Sequence, residues 1–213
     1  MFFPPATLLA PSLYAWLMED GCTDPFDRHV YACVLALAAS EGRPLTVALG
    51  LSPGELDALL LRHFPHAVSF IGPVPVADDG AGSMAPEEPD LIRLLQDGAD
   101  GDDPEAGWLA AIIARRSLGA NHLWQDLGLG NRKELSRLLQ THFPALAARN
   151  TGDMKWKKFF YRELCQQEGI LICKSPNCEV CNDFTFCFGA ETGDPLAMLA
   201  ARPEFREQEH RAA

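Results

Sequence analysis

The sequence predicts a mostly helical protein, a duplicated helix-pair core that ends in a C-terminal cysteine-rich metal-binding loop. Three observations predict it. One stretch of sequence occurs twice, each time with apolar residues at helical spacing. No stretch alternates apolar and polar residues for long enough to make a strand. Four cysteines fall within fifteen residues near the C-terminus: Cys173, Cys178, Cys181 and Cys187.

The repeat is imperfect but extended. LGLSPGELDALLLRHFPHA at 49–67 matches LGLGNRKELSRLLQTHFPALA at 127–147, with one extra residue in the second copy. Upstream, VYACVLALAAS at 30–40 aligns with WLAAIIARRSL at 108–118. Two copies are too few for a solenoid, so each reads as an apolar helix, a short connection and an amphipathic helix that ends at His-Phe-Pro.

Local signals mark the helix starts. Asp24 before Pro25, with Asp27 following, supplies a cap, a first-turn proline and an early acid. Ser52 and Glu55 have capping-box spacing, and Asn131 with Glu134 repeats it. Leu56, Leu59, Leu60 and Phe64 follow the helical period, as do Leu135, Leu138, Leu139 and Phe143. A further helix, Met154 to about Gln167, carries Trp156, Phe159, Phe160 and Tyr161 toward the cysteines. The organisation expected is a first helical repeat at 1–71, a flexible acidic linker with room for a short helix at 72–105, and a second repeat with its connecting helix at 106–170. A cysteine-rich segment at 171–190 and a tail at 191–213 follow.

The net charge of -11 argues against nucleic acid as a partner, because binding phosphates needs a basic surface. No apolar run is as long as a membrane span. The apolar start lacks a basic region and is broken by Pro4, Pro5 and Pro11, so a secretory signal is not expected. Clustered thiols in such a chain point to a reducing cytoplasm. The charge is uneven: residues 131–174 hold nine Lys and Arg against four Asp and Glu. That basic stretch leads straight into the cysteines. It reads either as a solvated helix face or as a local positive field that draws an oxyanion toward the thiols.

Four sulfurs so close in sequence suit one metal centre better than two strained short-loop disulfides. Structural zinc usually takes thiolates as two Cys-x2-Cys pairs, and here only Cys178 and Cys181 form one. The Cys-x4-Cys-x2-Cys portion has an iron–sulfur spacing, although the fourth cysteine follows sooner than in plant-type ferredoxins. Iron–sulfur, zinc and redox thiols all stay open on spacing alone. Lys174 and turn amides would favour the charged sulfur, and Phe184, Phe186 and Phe188 would shield a centre from water.

Other chemistry-bearing residues read mostly as structural. Cys22 and Cys33 have no thiol nearby in sequence, and Cys165 at a helix end reads as a buried cysteine or a fifth ligand. His63 and His142 occupy the same position in both copies, which favours capping at a helix C-terminus over metal binding. His122 matches Pro44 in the first copy and stands either beside a helix cap or as a nitrogen ligand. No Ser/His/Asp set or phosphate-binding glycine loop occurs, so no catalytic residues are assigned.

The run from Asn121 to Gly189 resembles the NifQ family of nitrogen-fixation proteins. The resemblance is carried by NHLWQDLGL, RKELSRLLQTHFP, ARNTGDMKWKKFFYRELC and CKSPNCEVCNDFTFCFG. Cys173, Cys178, Cys181 and Cys187 reproduce the family's Cys-x4-Cys-x2-Cys-x5-Cys without departure. The resemblance implies a carrier and not an enzyme. Such a carrier would hold a molybdenum–iron–sulfur cluster on these cysteines and donate molybdenum for the nitrogenase iron–molybdenum cofactor. Its implied partners are the cofactor-assembly scaffold, the nitrogenase iron protein and a molybdate source, with His122 and Cys165 as candidate additional ligands. Arg132, Lys133, Arg149, Lys155, Lys157, Lys158, Arg162 and Lys174 would attract the oxyanion. A zinc-stabilised helical interaction module and a plain iron–sulfur electron carrier or sensor are the alternatives.

Overall fold

The computed structural model describes residues 10–20, 23–71, 85–101, 104–169 and 187–191, and among these no strand occurs. Two helices sit at the centre because their sequences are apolar nearly all round. Helix α2 (Pro25–Ala39) is buried without a break from Arg28 to Ala38, and α7 (Pro104–Ser117) from Leu109 to Ser117. Helix α1 (Ala10–Met18) packs on α2, and α6 (Glu88–Gln96) packs on α7. Short helix α3 (Leu45–Leu49) touches both central helices, and its counterpart α8 (Leu123–Asp126) joins α7 to the segment that follows. No helix among the described residues is long and apolar enough to cross a membrane.

The remaining elements start where their side chains satisfy the first orphan amides. Asp24 Oδ1 accepts from Phe26 N at 2.8 Å and from Asp27 N at 3.2 Å. At α4 (Pro53–His63), Ser52 and Glu55 close a capping box: Glu55 N donates to Ser52 Oγ at 3.3 Å and Ser52 N to Glu55 Oε2 at 2.8 Å. At α9 (Arg132–His142), Asn131 Oδ1 accepts from Glu134 N at 3.1 Å, but Glu134 takes the Gly130 amide at 2.8 Å. Beyond α4 lie a 3-10 turn at Pro65–Ala67 and α5 (Val68–Ile71). Beyond α9 lie α10 (Pro144–Ala147) and then α11 (Trp156–Gln167), which packs on α6.

The segments that match in sequence also match in backbone. Gly50 and Gly128 both adopt left-handed φ, 71° and 72°, where a Cβ would be strained. Phe64 and Phe143 end their helices at φ -139°, ψ 58° and φ -134°, ψ 53°, and both rings are fully buried.

His63 and His142 do not cap their own helices as the sequence suggested. Each reaches across to the first turn of a central helix, where its partner is a carboxylate. His63 Nε2 lies 2.8 Å from Glu105 Oε1 on α7, and His142 Nε2 lies 2.9 Å from Asp27 Oδ1 on α2. The first pair is the more elaborate: Thr23 Oγ1 is 2.9 Å from His63 Nδ1, Tyr31 donates to Glu105 Oε2 at 2.6 Å, and Arg62 Nε lies 2.6 Å from Glu105 Oε1. Burial works to raise the Glu105 carboxyl. The bonds from His63 and Tyr31 and the charges of His63 and Arg62 outweigh it and hold the group below its ordinary value.

Candidate metal centre

Of the four clustered cysteines, Cys187 lies in the described part, and Cys173, Cys178 and Cys181 lie outside it. Among the described residues, no group of three or more His, Cys, Asp or Glu is arranged to hold a metal ion. What the structure describes is how the end of the cysteine segment is fixed to the helical body.

That attachment begins at the loop before α11. Asn150 clasps Met154 with both ends of its amide, accepting from Met154 N at 2.8 Å and donating to Met154 O at 2.9 Å. The clasp sets Asp153 at φ 52°, a left-handed conformation that costs a non-glycine residue about 1 kcal/mol. Arg132 holds the bend closed, donating from Nη2 to Asp153 O, Asp153 Oδ1 and Met154 O at 2.8, 2.8 and 2.9 Å. The next amide, Lys155 N, donates to Cys187 O at 2.9 Å. Cys187 and Phe188 are partly buried against the core, and Gly152 leaves room for the Phe188 ring: a Cβ there would sit 3.2 Å from it.

Four residues past Cys187, Glu191 turns back to the same guanidinium. Arg132 Nη1 donates to Glu191 Oε1 at 2.9 Å, and His122 Nδ1 lies 3.9 Å from that oxygen. The Glu191 side chain is 5% exposed, and its Oε2 has no partner among the described residues. Of its two expected roles, His122 takes the one at a helix cap. It is the N-cap residue of α8, with His122 N donating to Gln125 Oε1 at 3.1 Å, and its ring stands beside the end of the cysteine segment.

Further bonds bring the remaining words together. Lys157 Nζ donates to Gly119 O at 2.8 Å and Asp126 Oδ2 at 2.5 Å, and Asn121 Nδ2 to Asp126 Oδ1 at 3.0 Å. Trp156 Nε1 donates to Ser136 Oγ at 3.1 Å, which ties α11 to α9. The Tyr161 phenol is pushed above its ordinary value by burial, by the charge of Glu87 and by its hydrogen bond to Glu87. NHLWQD, RKELS, GDMKWKK and CFGAE, distant in sequence, thus form one hydrogen-bonded patch.

Two expectations are refined in this light. Within the basic stretch, Arg132 is paired with Asp153 and Glu191, Arg149 with Glu163, and Lys157 with Asp126, while Lys133, Lys158 and Arg162 are exposed. Cys165 on α11 is only partly buried, whereas Cys33 is fully buried, its Sγ 3.5 Å from His29 Nδ1. Sequence reasoning missed Glu191 and the Arg132 bridge. The one available signal was an acid directly after the cysteine segment.

Comparison with known proteins gives the patch a family. The family model described as NifQ matches residues 30–189. The chain is 44% identical over 178 residues to the NifQ homolog of Sinorhizobium fredii, an alignment covering 82% of this chain and 76% of that protein. It is 43% identical to NifQ of Azotobacter vinelandii, covering 67% of this chain and 78% of the relative. For NifQ of Rhodobacter capsulatus the identity is 40%, with 70% and 79% covered. No solved structure matches the chain. With three quarters or more of each of these relatives covered, the chain belongs to the NifQ family.

Proposed function

We propose that this protein is a cytoplasmic molybdenum carrier of nitrogen fixation, which donates molybdenum from a cysteine-held molybdenum–iron–sulfur cluster toward the nitrogenase iron–molybdenum cofactor. Cys173, Cys178, Cys181 and Cys187 are its metal ligands. The cofactor-assembly scaffold and the nitrogenase iron protein are its partners, and it performs no catalytic turnover. The observation that carries the reading is the complete four-cysteine spacing of this chain, joined to a helical patch through Cys187. Thiolates select soft metals and clusters over hard cations. The attachment favours a carrier in physical terms: one ligand, Cys187, is fixed through its backbone, and a donor site needs a firm base from which cargo can leave. A zinc-stabilised module would use the same thiols, but its usual two Cys-x2-Cys pairs are not present.

We also read the helical body as a duplicated helix pair. The reciprocal pairs His63–Glu105 and His142–Asp27, and the matching conformations of Gly50 and Gly128, support that reading.

The test is anaerobic purification with quantification of Fe, Mo, Zn and acid-labile sulfide. We expect a brown protein containing iron, sulfide and molybdenum, and loss of all three in Cys178→Ala or Cys181→Ala. A colourless zinc protein, or variants that retain full iron and molybdenum, would overturn the proposal.

A further inference from the structure

A cavity opens at the C-terminal end of α7. It has a volume of about 720 Å³, and its walls include Glu41, Arg43, Val47, Arg115, Arg116 and Asp126. Arg115 and Arg116 close the C-terminal end of α7 and are 7% and 5% exposed. Packing alone does not call for them: the matching positions of the first copy are Leu37 and Ala38, buried equally well. Each arginine uses part of its fork on the protein. Arg115 Nε donates to Glu88 Oε1 at 2.6 Å and its Nη1 bonds Val47 O, while Arg116 Nη1 donates to Glu41 Oε1 at 2.5 Å. Among the described residues, Arg115 Nη2, Arg116 Nε and Arg116 Nη2 are buried with no acceptor.

A buried guanidinium N–H without an acceptor is costly, so three of them on adjacent residues beside a cavity call for one. The nearby carboxylates do not supply it, because each is already engaged. Glu88 takes Arg115, Glu41 takes Arg116 and Arg43, and Asp126 takes Lys157 and Asn121. Among the described residues, this cluster at and beside the cavity sets four cations, Arg43, Arg115, Arg116 and Lys157, against three carboxylates, which leaves a positive balance. Forked, always-charged donors of this kind match the paired oxygens of an oxyanion better than they match a point ligand.

We propose that this cavity binds a tetrahedral oxyanion through Arg115 and Arg116, with Arg43 at the rim. On the molybdenum-donor reading, on which this identity rests, the ion is molybdate. The site is also joined to Cys187 by a short path: Lys157 holds two cavity residues, Gly119 and Asp126, and two residues before it Lys155 N donates to Cys187 O.

Equilibrium dialysis of the full metal-free chain against molybdate, with bound Mo quantified, tests the proposal. Wild type should bind one ion per chain. Arg116→Gln should weaken binding roughly tenfold or more, and Arg43→Gln, exposed and less prone to disturb folding, should weaken it measurably. The double variant Cys178→Ala/Cys181→Ala should bind as wild type does. Wild type without saturable binding, or an Arg116→Gln variant with native circular dichroism and unchanged binding, overturns the site. Loss of binding in the cysteine variant alone also overturns it, while leaving the donor reading intact. Conversely, arginine-dependent binding in a protein that never holds iron and molybdenum together keeps the site and removes the donor reading. Competition by phosphate or sulfate at equal concentration keeps the oxyanion pocket but overturns molybdate as its ion.

Discussion

Helices α2 and α7 are aligned in sequence, start with a proline in the first turn and are both buried almost throughout, yet their last turns differ. In α2 the last turn holds Leu37 and Ala38; in α7 the same positions hold Arg115 and Arg116. The difference extends past the helix, where Pro44 caps α3 and His122 caps α8 with nearly the same backbone angles. The last turn of α2 is therefore a packing unit, and the last turn of α7 keeps the same frame while carrying buried charge, with His122 3.9 Å from Glu191 beyond it. A frame fixed by apolar burial tolerates such changes where each new charge finds a partner.

Restoring the first half's residue at Arg115 should break the comparison most severely. Arg115→Leu leaves Glu88, 1% exposed, as a buried carboxylate without its cation. Removing one member of a buried pair costs about 3–5 kcal/mol, whereas replacing both by apolar groups of similar volume is often neutral. Urea denaturation should therefore show a large loss for Arg115→Leu and recovery of most of it in Glu88→Leu/Arg115→Leu. If the double variant is as unstable as the single one, the two helix ends are not interchangeable as packing units.

The helix starts were legible because a cap is decided within four residues, and Ser52–Glu55 and Asp24–Pro25 carry that information locally. The mostly helical class was legible for the same reason, through the period of Leu56, Leu59, Leu60 and Phe64. The partners of His63 and His142 were not, because a cross-chain bond depends on how helices dock. Their common position suggested a common role, and the docking made that role an ion pair instead of a cap. Glu88–Gln96 shows the opposite limit: three buried leucines, Leu91, Leu94 and Leu95, are a short signal inside an acidic, proline-rich stretch. At the candidate site the thiols could be read from spacing. Glu191 could not, because nothing local distinguishes an acid that will meet Arg132 from one that meets water.

The two histidine pairs offer a finer contrast, since the same bond is made at different depths. Glu105 is 5% exposed at its side chain and Asp27 is 16% exposed. His63→Ala should cost about 2–4 kcal/mol, because buried Glu105 loses a hydrogen-bonded partner of opposite charge while Tyr31 and the half-exposed Arg62 remain. His142→Ala should cost about 1 kcal/mol, within the range of a single net hydrogen bond near the surface. The pH dependence sharpens the distinction. The Glu105 carboxyl is held below its ordinary value of 4.5 in the folded state, so its stabilisation is full above that pH and fades as pH falls through the folded value. Urea denaturation of Glu105→Gln should therefore show lower stability than wild type at neutral pH, with the two converging in acid. A constant difference at every pH would remove Glu105 as the titrating group.

The smallest effects are expected at the two caps of α4 and α9, which differ in how the third-position acid is used. Ser52 and Glu55 satisfy one another's amides, so Ser52→Ala removes one half of a reciprocal pair and should cost about 1 kcal/mol. Asn131→Ala removes the bond to Glu134 N, but Glu134 remains fixed by Gly130 N and by His29 Nε2 at 3.1 Å. Its helix start is anchored from the core as well as from its cap, and the cost should fall to about half as much, at the low end of the capping range. Thermal or urea unfolding of both variants reads the difference. Equal losses would mean that the buried His29 contact adds nothing to the start of α9, and that the two halves differ only where charge replaces aliphatic side chains.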